Sequence, residues 1–550
     1  MKEIEIPIRG ERPRGLPLHE ASGRMLKKLF VAGAMTAAAL RAQDACGKLA
    51  QWTAAGVTVT SATVETADIP LGATRQPLAV PPRCVVKAIA RPTSDSEIHF
   101  EVWMPVAGWN GKYQQSGNGG WAGAIPVELL ANAVKRGFAA AGTDDGHKGG
   151  GGAEWAIGHP EKMIDFGYRA LHETAVHAKE FIRAFYGKDA GRAYFFGCSD
   201  GGREALMEAQ RYPEDFHGII AGAPANEWSY LVTGFLWNEQ ALLSEPGSAL
   251  TPEQLPLIEK AALEACDALD GVRDGLIDDP RRCRFDPGVL ACKDGQTDGC
   301  LSAQQVAALR KIYAGPRDPH SGEAIFPGYP PGTEAAPGSW PGWIVAKPPE
   351  KAIQFYFANS FFGQAVHEDP KWDFRAFDWS RDPALGNGKV GSVINSRNPD
   401  LRSFRARGGK LIQYHGWGDA AIPAESSINY YEKVKTFLAT YPDPRSPGGS
   451  IEDFYRLFLV PGMGHCGGGY GANNFGNTGA AVPRDAGHDL LTALEAWVEK
   501  GTAPARLIGT GRTRDGSKSL TRPLCLYPQV AKYDGKGDPD EASSFTCAAP

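Results

Sequence analysis

The sequence predicts an α/β chain whose sheet is interrupted by a large insertion, and three observations carry that reading. Short apolar runs alternate with amphipathic stretches up to about residue 225, as a parallel sheet wrapped by helices requires. From 226 to 400 the alternation gives way to a segment rich in Pro, Gly, Trp and Asp. From 401 onward strand and helix signals return. At 550 residues the chain also exceeds one ordinary domain.

Each element has its own warrant. "EIHFEVWMPV" alternates Ile98, Phe100, Val102 and Met104 at period two, the pattern of a half-buried strand. "FAAAGTDDG" (138–146) reads as a buried strand running into a polar loop. "LHETAVHAKEFIRAFYG" spaces Leu171, Ala175, Ala178, Ile182 and Phe185 on one helical face and stops at Gly187. "AYFFG" and "GIIAGAP" are short buried strands separated by a helix over about Gly202 to Arg211. Beyond the insertion, "KLIQYHG" and "FYRLFLVPG" are strands and "DLLTALEAWVEKG" is a late amphipathic helix.

The expected organisation is an N-terminal extension with signal peptide at 1–42, a first sheet segment at 43–225, a lid at 226–400 and a second sheet segment at 401–550. The signal reading rests on Met25 to Gln43, where Lys27 and Lys28 precede a short apolar run ending in small residues, too short to span a bilayer. Residues 1–24 are polar, which makes Met25 a candidate start. Cys46 follows "QDA", a poor lipoprotein box, and no other long apolar stretch exists, so a soluble, secreted or periplasmic protein is expected.

Composition narrows the function. Hydrophobic content of 42% and aromatic content of 10% support a sizeable core, so the 67 glycines and 41 prolines read as long ordered loops. A net charge of −5 argues against nucleic acid or an anionic membrane as partner. Oligomeric state is not encoded in any pattern found. The ten cysteines read as disulfides in an exported chain, since no CxxC pair suggests zinc. Neighbour pairing suits Cys46–Cys84, Cys266–Cys283, Cys292–Cys300 and Cys525–Cys547, which leaves Cys198 and Cys466.

The chemistry centres on "GCSDG", residues 197–201, which fits G-x-S-x-G. The pattern alone is weak, but an apolar strand precedes it and a helix follows, the setting that lifts a serine above a sheet edge. A serine nucleophile needs a base, and the base needs an orienting carboxylate. In α/β-hydrolases the chain order is Ser, acid, His. Here "QYHGWGDAAIP" places Asp419 after one strand, and "FLVPGMGHCGGG" places His465 after the next. His415 lies inside a strand end and His488 opens a helix, so both read as structural. A Cys198–Cys466 bridge would hold their Cα atoms about 5.5–6 Å apart and bring Ser199 towards His465. One oxyanion donor is expected from the N–H of Asp200, directly after the nucleophile.

Together GCSDGG, HGWGDA and PGMGHCGGG resemble the tannase and feruloyl esterase family, which also contains the mono(2-hydroxyethyl) terephthalate hydrolases. The resemblance covers nearly all of the chain after the signal, including "RPLCLYPQVAKYDGKGD". It implies a secreted α/β-hydrolase fold with a large inserted lid domain, a Ser199–His465–Asp419 triad and all five cysteine pairings. It favours Gly119, in "QSGNGGWAG", as the second oxyanion donor. It also turns "CDALDGVRDGLIDDP", by spacing a solvated acidic loop, into a structural Ca2+ site. Its implied ligands are the carboxylates of Asp267, Asp270 and Asp274 and the carbonyls of Val272 and Leu276. No organic cofactor is implied.

The expected activity is hydrolysis of aromatic carboxylic esters of feruloyl, hydroxycinnamoyl or galloyl type, small or polymer-linked. Trp343, Phe361, Phe362 and Ile422 are the candidate substrate contacts. The terephthalate branch reads a free carboxylate with a lid arginine, whereas no Arg or Lys lies between Ala352 and Val366, so that activity is the alternative. A non-catalytic, calcium-dependent carbohydrate-binding protein would use the acidic loop and leave Ser199 inert. A protease or transacylase would share the triad.

Overall fold

The computed structural model describes residues 40–71, 75–347, 350–445 and 448–550. Most of the expected signal peptide therefore lies outside the described residues.

Ten strands form one sheet: β1 (Thr53–Ala54), β2 (Val57–Glu65), β3 (Arg83–Ala90), β4 (Ile98–Pro105), β5 (Lys112–Ser116), β6 (Ala139–Thr143), β7 (Arg192–Cys198), β8 (Gly218–Gly222), β9 (Lys410–Gly416) and β10 (Tyr455–Val460). Their order is β1-β2-β3-β4-β6-β5-β7-β8-β9-β10. The strands from β6 to β10 run parallel, while β1 to β4 pair antiparallel and join β6 antiparallel. Every residue of β6 and β8 is buried, as central parallel strands covered on both faces must be.

Helices α1 (Val127–Lys135), α2 (Ala170–Tyr186), α3 (Asp200–Arg211), α4 (Glu425–Thr440) and α5 (Leu490–Lys500) supply that cover. On one face Phe181, Leu206 and Val434 from α2, α3 and α4 share a cluster with Phe195 and Leu411. On the other, Leu130 and Leu494 from α1 and α5 pack on Tyr194 and Ile412. The α3 helix begins at Asp200, two residues before the expected Gly202, because the chain turns within the single residue Ser199.

The segment expected from the sequence to be an insertion lies between β8 and β9. It is built around the helix Trp228–Leu243, apolar on nearly every side, which packs against Ala303–Ala314 and Ile353–Asn359. The second sheet segment adds β11 (Gly471–Asn474), β12 (Arg506–Arg512) and β13 (Ser519–Cys525) as one antiparallel sheet, and β14 (Val530–Tyr533) with β15 (Phe545–Ala548) as another. This C-terminal region grips the insertion: Arg522 on β13 pairs with Asp274, and Arg514 binds Glu259 and the carbonyl of Gly275. All five expected disulfides are formed, and no free cysteine remains among the described residues. Among those residues no helix is long and apolar enough to cross a membrane.

The β7–α3 junction depends on backbone contact. A Cβ on Gly202 would lie 2.2 Å from the carbonyl oxygen of Gly222 and 2.8 Å from the Cα of Pro224. Main chain cannot yield as a flexible side chain can, so Gly202→Ala should destabilise by about 1–3 kcal/mol or more. A lowered urea midpoint at unchanged slope is expected; a wild-type midpoint would show that the junction is looser than described.

Candidate active site

Ser199 ends β7 and precedes α3 with φ 67° and ψ −122°, a conformation that costs a non-glycine residue free energy. It is held there on both sides. Its N–H donates to the Gly222 carbonyl at 3.0 Å, and its own carbonyl accepts from Gly202 and Arg203. A Cβ on Gly197 would meet the Gly201 carbonyl oxygen at 2.2 Å, which explains why small residues flank the serine.

Asp419 follows β9 and His465 follows β10, adjacent parallel strands that end side by side. The Ser199 hydroxyl lies 2.8 Å from His465 Nε2, and His465 Nδ1 lies 2.8 Å from Asp419 Oδ2. With Nδ1 protonated towards the carboxylate, Nε2 is free to accept the serine proton. The Cys198–Cys466 bridge joins the neighbours of both residues, with Cα atoms 5.9 Å apart and 268 positions of chain between them. Chain entropy for so long a loop gives roughly 5 kcal/mol as an upper figure.

Asp419 is fully buried and accepts three hydrogen bonds. The N–H groups of Ala421 and Ile422 reach Oδ1 at 2.8 Å each and His465 Nδ1 reaches Oδ2 at 2.8 Å, while His415 Nε2, hydrogen-bonded to the Ile422 carbonyl at 2.9 Å, lies 3.2 Å from Oδ2. Burial alone would raise its pKa; the two histidines beside it, His465 foremost, outweigh burial and hold it well below the usual carboxylate range. His415 lies against Asp419 while its two ring nitrogens are bound to Ser427 and to the Ile422 carbonyl, which pins the loop that carries Asp419. His488 is tied to Asp485.

The glycine loop 117–123 docks directly on α3. The carbonyl of Asn118 accepts the Gly201 N–H at 2.9 Å, and a Cβ on Gly117 would meet the Gly201 Cα at 2.7 Å. Trp121 anchors the loop to the insertion through a 3.0 Å bond to Ser360 and contact with Trp228. Among the described residues no protein group accepts from the N–H of Gly119 or of Asp200, so both donors are available.

Trp343 reaches the site from the insertion, its ring edge-on to His465 with centroids 5.3 Å apart. Phe357 lies nearly parallel to it at 6.4 Å and comes within 3.6 Å of the Cβ position of Gly120. Ile422 is buried and hydrogen-bonds Asp419 through its main chain. Phe361 and Phe362 have a different role from the one expected. Both are 0% exposed and pack on each other, with Phe362 also against Phe377 and Trp372, so they build the core of the insertion. Phe357 was hidden in the same aromatic run, and sequence alone does not say which ring of "QFYFANSFF" turns outward. A surface cavity of about 960 Å3 beside α4, lined by residues such as Tyr313, Asn429 and Phe437, contains none of the three hydrogen-bonded residues.

In the acidic loop, Asp267 accepts from Gly275, Asp270 from Val272, and Asp274 from Leu276 and Arg522. Burial raises all three carboxyls, and repulsion between their charges adds to this for Asp267 and Asp270; Asp270 rises to about 6. Their oxygens do not gather as closely as those of Asp145, Asp200 and Glu204, which form the one three-carboxylate group within 4.8 Å among the described residues.

Residues 84–548 match the model of the tannase and feruloyl esterase family. An uncharacterized esterase of Xanthomonas campestris pv. campestris is 41% identical over 95% of this chain and 94% of its own. The mono(2-hydroxyethyl) terephthalate hydrolase of Piscinibacter sakaiensis is 33% identical over 87% of both chains. The crystal structure of feruloyl esterase B from Aspergillus oryzae superposes with a TM-score of 0.83 at 29% identity, covering 92% of this chain and all of that one.

If the disulfide sets the Ser199–His465 geometry, replacing Cys198 and Cys466 together by Ala should cut kcat about tenfold to a hundredfold, since small misplacements cost that much. Circular dichroism should remain native. A native fold with undiminished kcat would contradict the clamp.

Proposed function

Because the chain belongs to the tannase and feruloyl esterase family and is a carboxylic ester hydrolase, we propose that it hydrolyses aromatic carboxylic esters through Ser199, His465 and Asp419. The observation that carries this reading is the unbroken hydrogen-bond line Ser199–His465–Asp419 lying beside the Trp343–Phe357 pair.

His465 Nε2 takes the Ser199 proton as Oγ attacks the ester carbonyl. The oxyanion that develops is met by the N–H groups of Gly119 and Asp200, each worth about 3–4 kcal/mol to the transition state. His465 then passes its proton to the departing alcohol oxygen, leaving the acyl group on Ser199. Water, deprotonated by the same nitrogen, releases the aromatic acid and restores the serine. Asp419 stays ionised throughout and supports the imidazolium that forms on His465.

Trp343 and Phe357 would flank the aromatic ring of the acyl group, with the insertion acting as a lid. The run Ala352–Val366 offers no cation to a free carboxylate, which favours feruloyl-, hydroxycinnamoyl- or galloyl-type esters over a terephthalate monoester. The acidic loop suits a hard cation in kind: Asp267, Asp270 and Asp274 with the carbonyls of Val272 and Leu276 would hold Ca2+, which would brace the loop against β13. Five disulfides fit a secreted or periplasmic location.

Ser199→Ala should lower kcat by about 10^6 with the fold intact; retained turnover would remove the assignment. Methyl ferulate or methyl gallate should exceed mono(2-hydroxyethyl) terephthalate in kcat/KM, and the reverse order would reassign the acyl site. Calcium chelation should lower the Tm by several degrees while leaving kcat of the still-folded enzyme nearly unchanged. An unmoved Tm would remove the ion.

A further inference from the structure

Behind the glycine loop lies a group of carboxyls that the reaction above does not use. Asp145, just beyond β6, and Asp200 and Glu204, one turn apart on α3, are all fully buried. Three of their oxygens, Asp145 Oδ1, Asp200 Oδ2 and Glu204 Oε1, have no hydrogen-bond donor from any other residue. The one cation among them is Arg203, itself fully buried, which pairs with Asp200 and spends its remaining donors chiefly on the carbonyls of Phe166 and Gly167. Three ionised carboxylates against one guanidinium would leave two uncompensated negative charges out of water, which burial forbids. Asp145, Asp200 and Glu204 each bring an oxygen within 4.8 Å of the others, and a proton retained between Asp145 and Glu204 would remove one of these charges and supply a donor where the residues around them supply none.

The free ends of this pair converge on one residue. Asn118 donates its main-chain N–H to Glu204 Oε2 at 3.0 Å and its side-chain amide to Asp145 Oδ2 at 3.0 Å and to the Thr143 carbonyl at 2.9 Å. Its carbonyl is taken by Gly201. Asn118 is therefore fixed in place by the acid pair and α3, and the next peptide N–H along the chain is that of Gly119.

We propose that Asp145 and Glu204 share one proton and serve, through Asn118, as positioning residues that aim the Gly119 N–H into the oxyanion hole. This rests on the reading of Gly119 as an oxyanion donor. Loss of the proton sets two carboxylates against each other in a dry site and releases the bonds that orient the loop. The charged groups facing the pair are Asp200 and Arg203 on α3, and beside it Asp144, His147 and, behind Gly146, Asp165 with its partner Arg169. Burial places the Asp145 carboxyl at about 7 and pushes that of Glu204 well above its ordinary range. Both folded values lie above the unfolded ones, so the pair is intact in acid and is lost as pH rises through the folded values.

The test compares E204Q with E204A. A glutamine can accept from Asn118 and donate permanently to Asp145, so E204Q keeps what the shared proton supplies. Wild-type kcat should fall on the alkaline side, and in E204Q that fall should move up by about one pH unit or more. E204A should lose about tenfold to a hundredfold in kcat with little change in KM, as expected of a group that acts only in the transition state, and E204Q should recover most of that loss. D145N makes the same exchange from the other side should E204Q not fold. An alkaline limb unmoved in both carboxamide variants would overturn the proposal, as would one equivalent of tightly bound divalent metal in the wild type that E204Q loses. Labelling of wild-type Ser199 by a fluorophosphonate keeps the catalytic reading separate: if Ser199 labels and the limb does not move, only this inference falls; if Ser199 does not label, both fall.

Discussion

The rest of the site depends on one constraint, the backbone of Ser199 held at positive φ where β7 meets α3. Such a conformation costs about 1–3 kcal/mol and persists only where its surroundings leave no alternative. Here the surroundings are main chain on every side: Gly197 against Gly201, Gly202 against Gly222, and Gly117 against Gly201. The glycine loop, the nucleophile turn and the end of β8 thus form one block. The disulfide then ties the end of β10 to that block, and Cys466 itself sits at positive φ beside the base.

Around this block the protein sets buried carboxyls to opposite charge states by what it gives them. Asp419 receives two peptide N–H groups and two histidines, and it stays ionised. Asp145 and Glu204 receive donors from one shared asparagine and have no cation of their own, which favours retaining one proton between them. On the proposed mechanism the two sites would serve different ends of the same reaction: a fixed charge would steady the imidazolium, and a retained proton would keep the oxyanion donors in register. Beside the second site Arg203 pairs with Asp200 and so compensates that carboxylate alone.

Much of this was legible in the sequence because it depends on local rules. Period-two and helical spacing marked β4 and α2; an apolar strand before G-x-S-x-G marked the elbow; and strand ends marked Asp419 and His465. The cysteine pairs followed from count and proximity. What stayed hidden depends on facing directions that no one-dimensional pattern holds. In "QFYFANSFF" the helix rotation turns Phe357 towards Trp343 and buries Phe361 against Phe362 and Phe362 against Phe377. The link between Asp145 and Glu204 joins positions 59 apart in sequence and exists only because β6 ends and α3 begins beneath the same loop. The approach of His415 to Asp419 was concealed for a simpler reason: His415 reads as a strand residue, and only the bend of the following loop brings Asp419 back onto it.

The central claim is that Ser199 carries the acyl group during turnover. Mass spectrometry of the enzyme, acid-quenched during reaction with a slowly deacylated aromatic ester, tests it directly. The account predicts that the peptide containing Ser199 gains the mass of the aromatic acyl group, and that the adduct disappears as deacylation completes. An adduct on another residue, or burst release of alcohol with Ser199 unmodified, would contradict it.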